Sequence, residues 1–248
     1  MPTLVDTPPA KRAGRAGPED ASSLASALDS CVPCSRRKLA PRQHLFHQGD
    51  DCSHVYIVKS GFIRLYLLLD SGRCQVIGVR SPDELVAYED RAKHRYSAQA
   101  VTAVELRSVP AATFLNTAGS DPQVLLKLYY AACEDLSRAH DLVLTIAKRD
   151  AESCVASFIL DTHKRAVTRH ENEFIALPML RGDIANYLGL TNETVSRVFG
   201  AFKKRRMIEV RGRHGLRVLD RAALHAVAER VPSDRTPEPC DNVRIDPA

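Results

Sequence analysis

The spacing within Arg181 to Gly215, RGDIANYLGLTNETVSRVFGAFKKRRMIEVRGRHG, narrows the fold of this chain more than any other feature. Ile184, Ala185 and Leu188 fall at i, i+1 and i+4, one apolar stripe of a short helix. Gly189 stands where the chain must reverse, and glycine enters a left-handed backbone without steric cost. Thr191 is placed as an N-cap for a second helix. Along that helix Val195, Val198, Phe199 and Phe202 repeat at helical spacing and face the first, where the small Ala185 allows close approach. Asn192, Glu193, Ser196 and Arg197 fall on the opposite face. Ile208-Glu209-Val210 and Leu216-Arg217-Val218 then predict a hairpin around Arg211-Gly212-Arg213-His214-Gly215. Helix, tight turn, helix and basic hairpin is the order of a module that sets one helix in the DNA major groove.

Charge follows the same boundary. Thr191 to Arg217 holds eight Lys/Arg against two Asp/Glu, a balance of +6, while the whole chain carries +5. The remainder is therefore near neutral, and a basic patch confined to one module is an electrostatic footprint for phosphate. A solvated basic face on an ordinary helical hairpin would give the same count without the stripe, the turn glycine and the cap. General packaging of nucleic acid is disfavoured by Glu193, which gains nothing beside a polyanion unless a base donor meets it.

The other regions are read from pattern. At 248 residues, 44% hydrophobic and 26% charged, the chain suits two small domains with real cores. It has no apolar run of the roughly 18 residues a membrane span needs. The first thirty residues and 231–248 are rich in Pro, Ala and charge and read as tails without a signal peptide. Residues 38–118 read as strands: HVYIV, FIRLYLLL, QVIGV and AVTAVELRSV, separated by Gln48-Gly49-Asp50, Ser60-Gly61, Asp70-Ser71-Gly72 and Ser81-Pro82-Asp83. Short strands at such intervals suggest a β-barrel or jelly roll. Asp121 to Arg149 reads as one long helix with Pro122 in its first turn. Its Tyr129, Ala132, Leu136, Ala139, Val143 and Ile146 step by alternating threes and fours, a heptad seam. A single buried helix could carry that seam; beside a DNA-reading module, a homodimer interface is the stronger reading.

The match of RGDIANYLGLTNETVSRVFGAF, extended from about Lys38 to Arg230, resembles the CRP/FNR family of bacterial transcription regulators. The resemblance implies an α+β chain: a cyclic-nucleotide-binding-like β jelly-roll sensor over 31–120, a dimerisation helix over 121–149 and a winged helix-turn-helix over 150–230. FHQGD, YIVKSGFIRLY and LLDSGR carry it in the sensor. The family's base-reading positions fall on Glu193, Ser196 and Arg197. In chemical terms, Glu193 can accept from a cytosine amine and Arg197 can donate to guanine or phosphate. Thr191, Asn192, Lys203 and Arg213 complete the expected DNA-contact set. Ser196 resembles the FNR branch with its TTGAT-like half-site, whereas Asn192 departs from both branches. The nucleotide pocket of the cyclic-AMP receptor does not carry over. Asp83-Glu84-Leu85 replaces its Gly-Glu-Leu turn, and His94-Arg95 stands near its Arg-Ser pair. Cyclic AMP is not expected, although Glu84 and Arg95 remain candidates for a small anion. Ala139 replaces the acidic seam residue of FNR, which implies a dimer less dependent on a cofactor.

Seven cysteines, an odd number without a secretion signal, imply reduced thiols in the cytoplasm. The FNR iron–sulfur cluster does not transfer residue by residue, because its distant ligand position holds Arg107. Three readings stay open. Cys31, Cys34, Cys52 and Cys74 form a candidate thiolate set for a metal or cluster. Cys31 and Cys34 could instead form a reversible disulfide. Otherwise Cys133 and Cys154 pack helices and the rest are incidental. The pair CVPC also resembles a thioredoxin-type CxPC, but SSLASALDS before it is no β-branched strand, which argues against an oxidoreductase. The expected function is thus a DNA-binding regulator answering to oxygen or redox state, or to an effector other than cyclic AMP. Double-stranded DNA, RNA polymerase (through Leu85-Val86-Ala87-Tyr88-Glu89-Asp90) and a second copy are its expected partners.

Overall fold

The computed structural model describes residues 34–88, 92–148, 150–166 and 173–230. Eight strands make the N-terminal β-domain: β1 (Ser35–Leu39), β2 (His44–Phe46), β3 (His54–Ser60), β4 (Ile63–Leu68), β5 (Cys74–Arg80), β6 (Leu85–Val86), β7 (Ser97–Ala100) and β8 (Val104–Pro110). They pair antiparallel in two four-stranded sheets, β1-β8-β3-β6 and β2-β7-β4-β5. The apolar runs face inward between the sheets, where Phe46, Val58, Ile63, Leu65, Val86, Ala98 and Leu106 form one core. Gly61, at the β3–β4 turn, has φ of 81°, and a side chain there would collide with the Ala103 carbonyl. The turns at Gly49, Gly72 and Asp83 also use positive φ.

One expectation fails at the end of this domain. Residues 111–118 read as strand, but Ala111–Ser120 is a helix, α1. Its small and threonine residues carry no alternation, and what decides the matter is packing. Phe114 and Ala118 are buried against Val55, Ile57 and Val109 on the outside of the first sheet, an option that local pattern does not encode.

The long helix α2 (Pro122–Ala147) starts as expected, with the Asp121 carboxylate accepting from the Gln123 amide at 2.8 Å. Its two long faces differ. Val124, Leu128, Ala131, Asp135, Arg138, Leu142 and Thr145 lie at least partly covered by the chain's own domains. All six seam residues, Tyr129, Ala132, Leu136, Ala139, Val143 and Ile146, are exposed. Helices α3 (Ala151–Arg165), α4 (Arg181–Leu188), α5 (Asn192–Lys204) and α6 (Arg221–Ala228) follow, with strands β9 (Ile175–Ala176), β10 (Ile208–Arg211) and β11 (Gly215–Val218) in the sheet order β10-β11-β9. Asp150 caps α3 by accepting from the Ser153 amide at 2.8 Å, and Lys148 donates to the Ala228 carbonyl at 2.8 Å. The joint between long helix and C-terminal domain is therefore held by specific bonds. The C-terminal core, built on Phe158, Ile159, Ile184, Phe199 and Phe202, also takes in Val76 and Val79 of β5.

Candidate nucleic-acid interface

Helices α4 and α5 meet through the residues whose spacing predicted them. Gly189 turns the chain with φ of 68° and ψ of 24°, and the Leu190 amide donates to the Ala185 carbonyl at 2.9 Å. Thr191 is the N-cap, its hydroxyl accepting from the Thr194 amide at 3.1 Å. Ile184, Ala185, Leu188, Val195, Val198, Phe199 and Phe202 are all buried. The other face of α5 is open: Thr191, Asn192, Glu193, Ser196, Arg197 and Lys203 are exposed. The start of α5 also carries the positive end of the helix dipole, which suits phosphate oxygens.

The hairpin β10–β11 lies beside this surface. Gly212, with φ of 60°, makes its tip, and Arg213 is exposed there. Not all the cations counted in the sequence are available. Arg217 is spent on an ion pair with Glu209 across the hairpin, and Arg205 donates to Glu152 at 3.0 Å. The basic face is accordingly smaller than the charge count implied, and Arg197, Lys203, Lys204, Arg206, Arg211 and Arg213 are its exposed members without a carboxylate partner among the described residues. Arg181 has an internal role that was not anticipated. Its guanidinium sits 3.4 Å over the Phe199 ring centroid, and burial pulls its pKa down to about 10. It remains charged at neutral pH and pins the start of α4 to α5.

A second set of polar groups joins the β-domain to α2. Arg80 donates to Asp135 at 2.7 Å, Tyr88 donates to the same carboxylate oxygen at 2.5 Å, and Arg138 donates to Glu84 at 2.6 Å. Burial pushes the Tyr88 phenol up, and the bond to Asp135 adds to it. Burial works against the Arg138 charge, but Glu84 and Asp135 outweigh it and hold the pKa above the ordinary arginine value. The candidate pair Glu84 and Arg95 is not brought together around an anion site. Glu84 is neutralised by Arg138 and accepts from the Ser81 amide at 2.8 Å, while Arg95 is exposed and its neighbour His94 stacks on Phe46 at 3.5 Å. Beside this network a cavity of about 390 Å³ opens between β5, α2 and the C-terminal domain, with Tyr88, Tyr96 and Tyr187 in its wall.

Of the candidate four-cysteine set, the described members are not brought together. Cys31 lies outside the described residues. The other three sit in different places: Cys34 against the outer core of the first sheet, Cys52 against the core between the sheets, and Cys74 at the start of β5. Among the described residues no group of three or more His, Cys, Asp or Glu could hold a metal ion. The Cys34 sulfur instead accepts from the Arg107 guanidinium at 3.0 Å. Part of the loop expected to meet RNA polymerase is covered by the β-domain. Leu85, Val86 and Ala87 are buried in the β-domain cores, and Glu89 and Asp90 lie outside the described residues.

Residues 36–121 match the family described as cyclic nucleotide-binding domain, and residues 155–227 match the Crp-like helix-turn-helix domain. The nitrogen fixation regulation protein FixK of Bradyrhizobium diazoefficiens is 33% identical over 214 residues, 84% of this chain and 90% of that protein. The chain belongs to the CRP/FNR family of transcription regulators. The anaerobic regulatory protein of Haemophilus influenzae is 32% identical over 191 residues, 75% of this chain and 74% of its own length. The structure of FixK2 from Bradyrhizobium japonicum superposes with a TM-score of 0.74 at 28% identity, covering 81% of this chain and all of that one. Family membership makes this chain a DNA-binding regulator and not an enzyme, which disposes of the CxPC oxidoreductase reading. Among the described residues, no helix is long and apolar enough to cross a membrane.

Proposed function

We propose that two copies of this chain pair along the seam of α2 and bind a palindromic, TTGAT-like DNA site, controlling transcription in response to oxygen or redox state. The observation that carries this reading is the joint exposure of two unlike faces in one protomer. The seam is a strip of apolar side chains uncovered by the chain itself, and α5 presents a capped N-terminus with Glu193, Ser196 and Arg197 in the open. Two-fold pairing along α2 would present two α5 helices to half-sites about 34 Å apart, one turn of DNA. Glu193 and Arg197 then read base edges, Thr191, Asn192 and Ser196 line the groove, and Lys203 and Arg213 meet phosphate.

The oxygen or redox signal is supported by the relative whose name is anaerobic regulatory protein. Control of transcription implies RNA polymerase as a partner. A second reading has its own observation: the cavity of about 390 Å³ between β5, α2 and the C-terminal domain is placed where a small effector would touch all three. Footprinting with the purified full chain separates these readings. A short two-fold protected site is expected, and uniform coating of the DNA overturns the regulator mechanism. Protection that changes between anaerobic and air-exposed protein supports the redox signal. Protection indifferent to air, but changed by a small molecule, favours the effector.

A further inference from the structure

The C-terminal domain is not tied to the rest of the chain only through the long helix. Its helix α4 lies directly on strand β5 of the β-domain, and Val76 and Val79 of that strand share the core of Ile184 and Leu188. Beside this apolar contact runs a polar chain. Asp183, in the first turn of α4, is ion-paired with Arg64 of β4, their side chains 9% and 25% exposed. The same guanidinium donates through Nε to Gln99 Oε1 at 2.9 Å, and Gln99 Nε2 donates to the Arg42 carbonyl at 2.8 Å. On the other side of the contact, Gln75 Nε2 donates to the Asn186 carbonyl at 2.5 Å. Two residues of the β-domain, Arg64 and Gln75, thus bond to the two ends of α4, and Gln99 braces Arg64.

Fixing α4 fixes α5, because the two helices are locked by Gly189, Ala185 and the Arg181–Phe199 stack. In this docked arrangement every proposed DNA contact stays exposed, so the latch is compatible with DNA binding. We propose that Arg64 is a positioning residue: paired with Asp183, it sets the orientation of the helix-turn-helix and gives the β-domain a direct route to it, parallel to the long helix. A protomer whose C-terminal domain is free to rotate occupies the binding-competent orientation for only part of the time, and its apparent affinity falls by that fraction. A merely local role for Asp183 would be to favour the helix N-terminus as an acid in the first turn. That role does not need Arg64.

This inference rests on the reading that the dimer binds a two-fold site, and the experiment keeps the two apart. Affinity of the full-length protein for a TTGAT-like palindrome is measured against salt for wild type, Arg64→Gln, Asp183→Asn, the double variant and Arg64→Lys, with sedimentation and melting alongside. If the wild type shows no preference for the palindrome, the functional reading fails. Given wild-type binding, each single variant is expected to lose about tenfold in affinity, the double variant no more than either, and Arg64→Lys to recover most of it. The dimer mass and the salt slope should not change. Wild-type affinity in both single variants overturns the latch, as do losses that multiply in the double variant. A salt slope reduced by about one unit in Arg64→Gln alone also overturns it, since Arg64 would then be a phosphate contact beside Arg42 and Arg213, which share its cleft.

Discussion

The long helix α2 and the recognition helix α5 each leave one face uncovered, and the two faces are opposite in kind. On α2 it is apolar: Tyr129, Leu136 and Val143 are 61%, 58% and 66% exposed. On α5 it is polar, with a cap, an acid in the first turn and lysines in the last. Exposed apolar surface gains by excluding water and is satisfied by a surface like itself. A polar face at a helix start gains little from such burial and much from a fixed array of charge and hydrogen-bond acceptors. The same device, amphipathicity, therefore calls for a second protein chain in one place and for a nucleic acid in the other. The inward face of each helix is what makes the outward one dependable. Arg138 and Asp135 anchor α2 to the β-domain, and Phe199 and Phe202 anchor α5.

The most severe way to break this contrast is to make the apolar face polar. Leu136→Asp should leave the protomer folded, because the side chain is exposed there. It should turn the sedimenting species from dimer to monomer at micromolar concentration, with a loss of about a hundredfold or more in affinity for a palindrome. A dimer of undiminished affinity would show that the seam does not pair. On the polar face, Glu193→Ala should relax base choice at one position of each half-site, by about 1–3 kcal/mol in competition binding. Unchanged preference would remove Glu193 from base reading. A smaller effect is expected at the hairpin tip, where Arg213→Ala should weaken all DNA sequences alike and flatten the salt slope by about one unit.

The smallest effect serves as a control away from both faces. Burial against Phe46 lowers the pKa of His94 below its ordinary 6.5, so the folded chain holds this ring neutral. The unfolded chain then binds more protons as pH falls through that value. The stability His94 contributes is present above it and is lost on the acid side. His94→Phe, which keeps a ring over Phe46, should flatten the fall in melting temperature between about pH 7 and 5. His44, also lowered by burial, leaves a residual slope. An undiminished slope would place the acid sensitivity elsewhere.

What could be read before the fold was known follows from the range of the interactions involved. The α4–turn–α5 unit was legible in detail because every determinant lies within a few residues: the stripe, the positive-φ glycine, the N-cap threonine. The long helix α2 and the period of its apolar stripe were legible for the same reason, since a heptad is a local period. Helix α1 was not, because its identity depends on Phe114 meeting strands β3 and β8. Where the cysteines lie was not legible, because spacing in sequence says nothing about which of two sheets a side chain faces. Arg64 and Asp183 stand 119 positions apart, and neither period nor charge count could have joined them. The pairs Arg217–Glu209 and Arg205–Glu152 likewise removed cations that composition had counted as free.

Val76 and Val79 belong by sequence to the β-domain and by packing to the core of the helix-turn-helix. The unit of cooperativity is therefore expected to be larger than the unit of homology. Heating should melt both halves in one calorimetric transition, not two. A chain cut after the long helix would uncover apolar strand surface that the intact protein never shows to water, so the sequence module and the folding module have different edges.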